Sequence, residues 1–174
     1  MGFGWVKQIP IFPLLIIYVF MTSGFVVTTI SMLLLVIWPF SKGTYRWLVS
    51  QLAYSLFGQF VWMSQDWAGV KVTMFGDKDT YDHLGKECAL WTLSHRGDLD
   101  WVIGYVVGVQ YNFIHRIRTL PKKSVFYIPG FGQLLWATEC TFLSRNFAKD
   151  EVNIKKMSDC YKDSPFPVQC NLSQ

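Results

Sequence analysis

The residues best suited to chemistry in this sequence are His95 and Asp100, five positions apart in the stretch LSHRGDLDW. A neutral imidazole, with an unperturbed pKa of about 6.5, accepts a proton from a hydroxyl group at physiological pH. A carboxylate on its other ring nitrogen fixes the tautomer and stabilises the imidazolium as it forms. The pair therefore predicts general-base catalysis, with His95 as the base and Asp100 as its orienting partner.

The spacing alone is weak, because a histidine at a helix start has an ordinary structural interpretation. Asp98 is a second candidate partner, although capping of the following helix explains it adequately. Context favours catalysis. An apolar run of strand length, Ala89–Leu93, precedes His95, and a helical pattern follows Asp98 as far as Val109. Open α/β folds commonly keep their sites where a strand passes into a helix.

Short apolar runs after Gly69 predict the strands of an α/β domain. Residues 70–74 alternate with period two and end at a Gly-Asp turn signal. Further strands are predicted at residues 89–93, 111–114, 124–128 and 140–143, and a polar helix from about Asp150. Strands that alternate with helices predict an α/β fold.

Residues 9–40 read as a membrane anchor, since no charged side chain occurs from Gln8 to Ser41. A spanning helix needs about 20 apolar residues. The stretch is longer, so we expect it to tilt, to kink near Thr22-Ser23-Gly24, or to form two short helices in one leaflet. A signal peptide is disfavoured, because its apolar region runs about 7–15 residues. Lys42 and Arg46 favour a cytoplasmic C-terminal side.

Residues 47–65 are also uncharged but mix Ser and Gln with aromatic residues. The pattern fits a helix in the membrane interface and an amphipathic core helix equally well. The net charge of +4 allows anionic partners, but the aromatic residues lie within apolar runs. Nucleic acid is therefore not an expected partner. The four cysteines show no metal-binding spacing and are expected to be unpaired thiols.

Beyond these patterns, the chain resembles the His-x4-Asp glycerolipid acyltransferases, nearest to their lysophosphatidic acid acyltransferase branch. The segments that carry the resemblance, from the anchor to about Asp163, are WPFSKGTYRWL, DWAGVKV, GKECALWTLSHRGDLDW, PKKS, PGFG and TFLSRNFAKDE. Ser94 departs mildly from the asparagine of many relatives. The resemblance implies N-terminal hydrophobic membrane-anchoring helices followed by a partial α/β acyltransferase domain. The expected divisions are an anchor and interfacial region (1–67), the N-terminal part of the domain (68–163) and a divergent tail (164–174).

The implied reaction is transfer of an acyl group from acyl-CoA to the free hydroxyl of lysophosphatidic acid, at the endoplasmic reticulum membrane. The products would be phosphatidic acid and CoA. The acceptor hydroxyl attacks the thioester directly, which fits the absence of a G-x-S-x-G nucleophile motif. The resemblance assigns the acceptor's phosphate to Arg145 and Lys123. It implies acyl-CoA, a lysophospholipid and membrane lipid as partners, with no metal and no cofactor besides the co-substrate.

The resemblance fails at the tail, which reads SPFPVQCNLSQ after Asp163. Relatives carry a third motif, Glu-Gly-Thr-Arg, and an apolar strand in this region. We therefore expect a chain truncated before that motif, without the strand. The alternative function is that of a catalytically inactive membrane protein or a regulator of the full-length enzyme.

Overall fold

The computed structural model describes residue 9 and residues 11–93, 97, 100–144 and 146–173. Within these residues the chain alternates helices with short strands. In chain order they are α1 (Ile11–Leu33), α2 (Lys42–Trp62), α3 (Lys78–His83), β1 (Ala89–Leu93), α4 (Asp100–Gln110), β2 (Ile117–Thr119), α5 (Gly132–Ala137), α6 (Phe147–Lys162) and β3 (Gln169–Ser173). Short 3-10 turns occur at Leu34–Ile37, Ile114–Arg116 and Lys123–Tyr127, and a π turn at Met63–Trp67. The α/β class predicted from the sequence is confirmed.

The three strands form one parallel sheet in the order β1-β3-β2. Ala89 pairs with Gln169 and Leu93 with Ser173 along one ladder, and Ile117 pairs with Gln169 along the other. The carboxyl ends of all three strands therefore lie at the same edge of the sheet. Because neighbouring strands lie about 4.8 Å apart, β1 and β2 are separated by about 10 Å at that edge.

Helix α2 lies at the centre of the packing and contacts both α1 and α4. Leu56 and Phe57 on its inner face are fully buried, and Phe57 stacks on Tyr105 of α4 with ring centroids 4.6 Å apart. Its opposite face exposes Trp47 and Trp62. Of the two interpretations of residues 47–65, the structure therefore favours the amphipathic core helix, which runs to Trp62 and continues as the π turn.

The apolar N-terminal segment is one continuous helix and not two short ones. With the 3-10 turn that follows, it covers Ile11–Ile37, with a mean hydropathy of 2.1 over its most apolar window, and is long and apolar enough to cross a membrane. At about 1.5 Å per residue its 27 residues measure about 40 Å. Only 11% of that window is buried, and large apolar side chains such as Leu14, Tyr18 and Phe25 are exposed.

Helix α1 docks lengthwise on the domain through its second half. Phe20 meets Phe60 of α2 with ring centroids 4.4 Å apart, and the Ser23 hydroxyl donates to Gln59 Oε1 at 2.9 Å. The Thr28 hydroxyl donates to the carbonyl oxygen of Gly130 at 2.6 Å. The anchor is therefore part of the domain's packing and does not hang from a linker.

Arg46, predicted to mark the cytoplasmic side of the anchor, is instead buried inside the domain. Its Nε donates to Glu139 Oε2 at 2.9 Å and its Nη2 to Oε1 at 3.2 Å. Its Nη1 donates to the carbonyl oxygen of Asp163 at 3.0 Å. Arg46 is only 6% exposed, and its hydrogen bonds join α2 to two later segments. The predicted orientation of the anchor stays a prediction.

Four strand predictions are wrong, although each segment contains residues that pack inward. Residues 70–74 form no ladder; Val72 and Met74 pack against the core while Phe75 is 93% exposed. Residues 111–114 turn out of α4 through Asn112, whose φ is +55°, and residues 124–128 lie mostly in a 3-10 turn. In residues 140–143 only Leu143 makes an isolated bridge. The apolar patterns therefore identified some residues that pack inward, but they did not specify a strand partner.

The expectation that residues 164–174 lack a strand is also wrong. Residues 169–173 form β3, the central strand of the sheet. Gln169 explains part of this placement, because its Oε1 accepts a hydrogen bond from Trp91 Nε1 at 2.7 Å and its Nε2 donates to the carbonyl oxygen of Glu87. Cys170, like Cys88 and Cys140, is a free thiol, as expected from the sequence.

Replacement of Gly130 by alanine is expected to lower the free energy of unfolding by about 1–3 kcal/mol. Its φ is +76°, and an added Cβ would lie 3.2 Å from the backbone of Gly24 and Phe25 in α1. Gly58→Ala is the matched control, because its Cβ would meet nothing within 4 Å on α2. Thermal unfolding in detergent should show a lower Tm for Gly130→Ala alone. Equal Tm values would contradict the close approach of α1.

Deletion of residues 169–174 is expected to abolish the cooperative unfolding transition, because β1 and β2 pair only with β3. The free energy lost with both ladders is comparable to the whole free energy of unfolding of a domain, roughly 5–15 kcal/mol. Removal of Gln174 alone serves as the control and should leave Tm unchanged. Tryptophan fluorescence during heating measures both. A cooperative transition that survives the longer deletion would contradict the central position of β3.

Candidate active site

Asp100 is the first residue of α4, and its side chain turns back toward the preceding loop. Its Oδ2 accepts a hydrogen bond from the backbone N–H of Gly97 at 2.7 Å, and its own N–H donates to the Gly97 carbonyl oxygen at 3.2 Å. A carboxylate in the first turn of a helix is also favoured by the helix dipole. These bonds close a turn between Gly97 and Asp100, so the Asp100 carboxylate is directed toward Gly97.

His95 lies outside the described residues, as does Asp98, the alternative partner. Sequence order nevertheless restricts its location. Strand β1 ends at Leu93 and α4 begins at Asp100, so in the sequence His95 falls between the carboxyl end of β1 and the start of α4. Crevices outside the carboxyl ends of parallel strands are where open α/β folds bind their ligands.

An aromatic cluster supports the start of α4. Trp101, next to Asp100, has its ring centroid 5.0 Å from that of Phe60, 5.8 Å from that of Tyr105 and 6.2 Å from that of Phe131. Aromatic pairs at such distances contribute about 0.5–1.5 kcal/mol each beyond their buried area. The cluster therefore holds the first turn of α4, and with it Asp100, against α2 and the turn before α5.

The segment that carries Lys123 pairs with the segment that leads to Arg145. The backbone N–H of Lys123 donates to the Leu143 carbonyl oxygen at 3.0 Å, and the N–H of Leu143 donates to the Pro121 carbonyl oxygen at 2.8 Å. These bonds form a parallel bridge between Lys122 and Leu143. Lys123 is exposed at the start of its 3-10 turn. Arg145, two positions beyond Leu143, lies outside the described residues.

Two loops therefore leave the same edge of the sheet about 10 Å apart. The loop after β1 ends at Asp100, and the chain after β2 reaches Lys123 within four residues of Thr119. The bridge to Leu143 adds a third segment beside the second. Of the four residues predicted from the sequence, Asp100 and Lys123 are described on two of these segments, and His95 and Arg145 stay predictions.

Asp150 is a residue of this region that sequence reasoning treated only as the start of a polar helix. Its Oδ1 accepts hydrogen bonds from both the backbone N–H and the hydroxyl of Ser144, each at 2.9 Å. The spacing of six residues between Ser144 and Asp150 differs from that of a capping box, which joins residues three apart. No local signal in the sequence therefore predicts this contact.

The other two histidines lie away from this edge. His83 is exposed on α3, and its hydrogen bond to Glu87, with the charge of that group and of Asp79, raises its pKa. His115 is half-buried before β2; burial, with the charges of Arg116 and Arg118, lowers its pKa. Within the described residues, no group of three or more His, Cys, Asp or Glu side chains is arranged to hold a metal ion.

Comparison with known proteins gives one family. A family model described as Acyltransferase matches residues 72–168, more than half of the chain. No solved structure matches the chain. The matched region begins after α2 and ends one residue before β3.

Among curated relatives, 1-acyl-sn-glycerol-3-phosphate acyltransferase 2 of Brassica oleracea is 37% identical over 149 residues, covering 85% of this chain and 38% of that protein. The corresponding enzyme 3 of Arabidopsis thaliana is 33% identical, covering 84% and 39%. The delta enzyme of Homo sapiens is 29% identical, covering 88% and 42%. The chain thus spans about two fifths of the length of these relatives.

Proposed function

This chain belongs to the acyltransferase family, and we propose that it transfers an acyl group from acyl-CoA to the free hydroxyl of lysophosphatidic acid. The observation that carries the proposal is the carboxylate of Asp100, which accepts a hydrogen bond at 2.7 Å from the N–H of Gly97, two positions after His95 in the sequence. Relatives named for 1-acyl-sn-glycerol-3-phosphate acylation support the acceptor class. The products are phosphatidic acid and free CoA.

In the proposed reaction, His95 accepts the proton of the acceptor hydroxyl as the hydroxyl oxygen attacks the thioester carbonyl carbon. Asp100 stabilises the imidazolium that forms. The C–S bond then breaks, and the CoA sulfur leaves and takes the proton from His95. The acyl group moves in one transfer, so no serine or cysteine of the chain forms a covalent intermediate.

The acceptor's phosphate is assigned to Lys123 and Arg145. Lysine and arginine side chains are cations at neutral pH. A guanidinium binds a phosphate through two parallel hydrogen bonds. The bridge between Lys122 and Leu143 supports the pairing, because it joins the two segments that carry these side chains. A separation of about 10 Å between the strands that lead to His95 and to Lys123 suits an acceptor whose hydroxyl and phosphate are bound at opposite ends.

We further propose that the chain is an integral protein of the endoplasmic reticulum membrane. Helix α1 exposes a long apolar surface, and about 40 Å of helix exceeds the roughly 30 Å hydrocarbon core. The acceptor and the product are lipids, and acyl-CoA is amphipathic. A domain packed directly against the membrane helix is suited to substrates that reside in the bilayer surface.

Replacement of His95 by alanine should lower acyl transfer by about 10²–10⁴-fold, the usual contribution of a general base. Asp100→Asn should lower it over the same range, because the tautomer and the imidazolium lose their partner. Membranes that express the chain are incubated with radiolabelled acyl-CoA and lysophosphatidic acid, and labelled phosphatidic acid is measured.

His83→Gln is the matched control, because it removes an exposed histidine whose partners lie on the surface near α3. Its activity should equal that of the wild type. Wild-type activity equal to that of empty membranes would contradict the proposed function and favour the inactive or regulatory protein. Full activity in His95→Ala would refute the role of the histidine.

Lys123→Ala should raise KM for lysophosphatidic acid about three- to tenfold while leaving KM for acyl-CoA unchanged. An exposed charge-assisted contact of about 1 kcal/mol corresponds to roughly fivefold in binding. Lys122→Ala, at an equally exposed neighbour, should have no such effect. With a monoacylglycerol acceptor, which lacks the phosphate, the Lys123 variant should match the wild type. Equal loss with both acceptors would contradict phosphate binding.

A further inference from the structure

One side of helix α1 exposes apolar side chains along its whole length. Two threonines on this side, Thr22 and Thr29, donate their hydroxyl hydrogen bonds to the helix's own carbonyl oxygens, those of Tyr18 at 2.9 Å and Phe25 at 2.8 Å. Both hydroxyls are therefore satisfied without water, and this side of the helix is suited to contact with lipid hydrocarbon. The large apolar side chains exposed here include Ile11, Leu14, Leu15, Phe25, Val26, Leu33 and Val36.

The domain packs against the opposite side of α1, beginning at Phe20. The ring of Phe20 meets that of Phe60 on α2. Farther along the helix, the backbone of Gly24 and the hydroxyl of Thr28 both meet Gly130 in the turn before α5. The domain thus lies beside roughly the last two thirds of the apolar helix.

A helix α1 that crosses the bilayer from its first residue would carry part of the domain into the hydrocarbon. The hydrocarbon core is about 30 Å thick, which corresponds to about 20 residues of helix. Measured from Ile11, that length ends near Ser31, beyond the contact with Gly130. The chain just before Gly130 belongs to no helix or strand, and Ile128 is 44% exposed. Irregular backbone exposed to lipid does not occur within the hydrocarbon, because its N–H and C=O groups would lack partners.

A crossing that leaves the domain in water has too few residues. The uncharged stretch begins at Gln8 and the docked part begins at Phe20, so about 12 residues, or about 18 Å of helix, are left to cross. That length is little more than half of the hydrocarbon core. The docked part would also expose Phe25, Leu33 and Val36 to water. Neither crossing arrangement therefore fits the docked helix.

The exposed side of α2 has the composition of a surface at the level of the lipid headgroups. Helix α2 runs antiparallel to α1, since Phe60 meets Phe20 near one end and Tyr45 packs near Leu35 at the other. Its exposed residues are uncharged and recur on one side of the helix: Trp47, Gln51, Tyr54, Ser55 and Trp62. Tryptophan and tyrosine are enriched where a membrane meets water, because each combines an apolar ring with a polar N–H or O–H group.

We propose that α1 lies within a single leaflet of the bilayer, with its exposed side in the hydrocarbon and the exposed side of α2 at the headgroups. The inference rests on the membrane location proposed above and replaces a crossing by insertion from one side. A helix that lies in the interface buries its apolar side about 5–10 Å deep. The domain, including the segment that carries Lys123, then lies on the same side of the membrane as the chain before Ile11.

The first test measures sidedness in sealed microsomes that contain the full chain. One epitope tag precedes Met1, a second follows Gln174, and protease is added with and without detergent. Insertion in one leaflet places both tags on the same side, so without detergent both should be digested or both should be protected. Digestion of one tag, with protection of the other until detergent is added, would overturn the proposal.

The second test measures depth in phospholipid vesicles. Leu14→Cys, Phe25→Cys and Val36→Cys each carry a nitroxide spin label, and power saturation with oxygen and a water-soluble nickel complex gives the depth of each label. Leu14 and Val36 lie about 33 Å apart along the helix axis. In one leaflet the three labels should lie at the same depth within about 5 Å. A label at Phe25 near the bilayer centre, with the other two near opposite surfaces, would contradict insertion in one leaflet.

Trp47→Cys on α2 supplies the matched control, since its label should lie at the headgroups and shallower than all three labels on α1. The labelled variants carry serine in place of Cys88 and Cys160, while Cys140 and Cys170 are buried and stay in place. Sidedness is measured on the chain without substitutions, so it decides the proposal even if a labelled variant fails to fold.

The outcomes separate this inference from the proposed function. A chain without acyl transfer, but with both tags on the same side, contradicts the proposed activity and supports insertion in one leaflet. Tags on opposite sides overturn the insertion even if the chain is an active enzyme. Recovery of the chain in the soluble fraction would overturn both the membrane location and the insertion.

Discussion

The pairing of β3 between β1 and β2 is the constraint on which the sheet depends. Neither outer strand pairs with the other, so both ladders require residues 169–173. Gln169 lies 80 residues after its partner Ala89 and 52 after its partner Ile117. Parallel pairing over such separations carries a large loop-closure cost before any ladder bond is gained. The segments that leave the carboxyl edge of the sheet are therefore positioned by the pairing of β3 with both outer strands.

Once the sheet is closed, its edge is supported from both sides by different means. Aromatic packing of Trp101 on α2 sets the start of α4 and hence Asp100. Backbone hydrogen bonds between Lys123 and Leu143 set the second segment, and the carboxylate of Asp150 sets the bend beyond it. The positions of Asp100 and Lys123 thus depend on neighbouring residues to which no role in substrate binding is assigned.

The catalytic roles of His95 and Asp100 stay predictions, but the helix predicted after Asp98 is confirmed as α4. A carboxylate before an apolar run with helical period is a local pattern that the sequence alone reveals. The same holds for the strand Ala89–Leu93 and the polar helix near Asp150, both of which are confirmed. Residues 70–74 and 124–128 were wrongly predicted as strands, since alternation or an apolar run indicates burial without specifying a partner.

The strand at 169–173 could not be predicted, because its polar sequence has weak strand propensity and its place depends on tertiary contacts. Gln169 is buried because Trp91 and the backbone at Glu87 satisfy its amide group. Such a pair joins residues far apart in the sequence and leaves no local signal. The Arg46–Glu139 ion pair could not be predicted from the sequence for the same reason. A basic residue beside an apolar helix fits a membrane surface equally well.

The contact between Thr28 and Gly130 connects helix α1 to the segment that carries Lys123. Gly130 lies seven residues after Lys123, and five of the residues from Lys123 onward form a 3-10 turn. At about 2 Å per residue in such a turn, and about 3.3 Å in the short extended remainder, the two positions lie within about 20 Å. Helix α1 therefore restricts the position of the segment that carries Lys123 relative to the helix axis. Under the proposed function, a lipid acceptor bound through its phosphate would need such a fixed orientation, because its acyl chain would remain in the bilayer while its hydroxyl reaches His95.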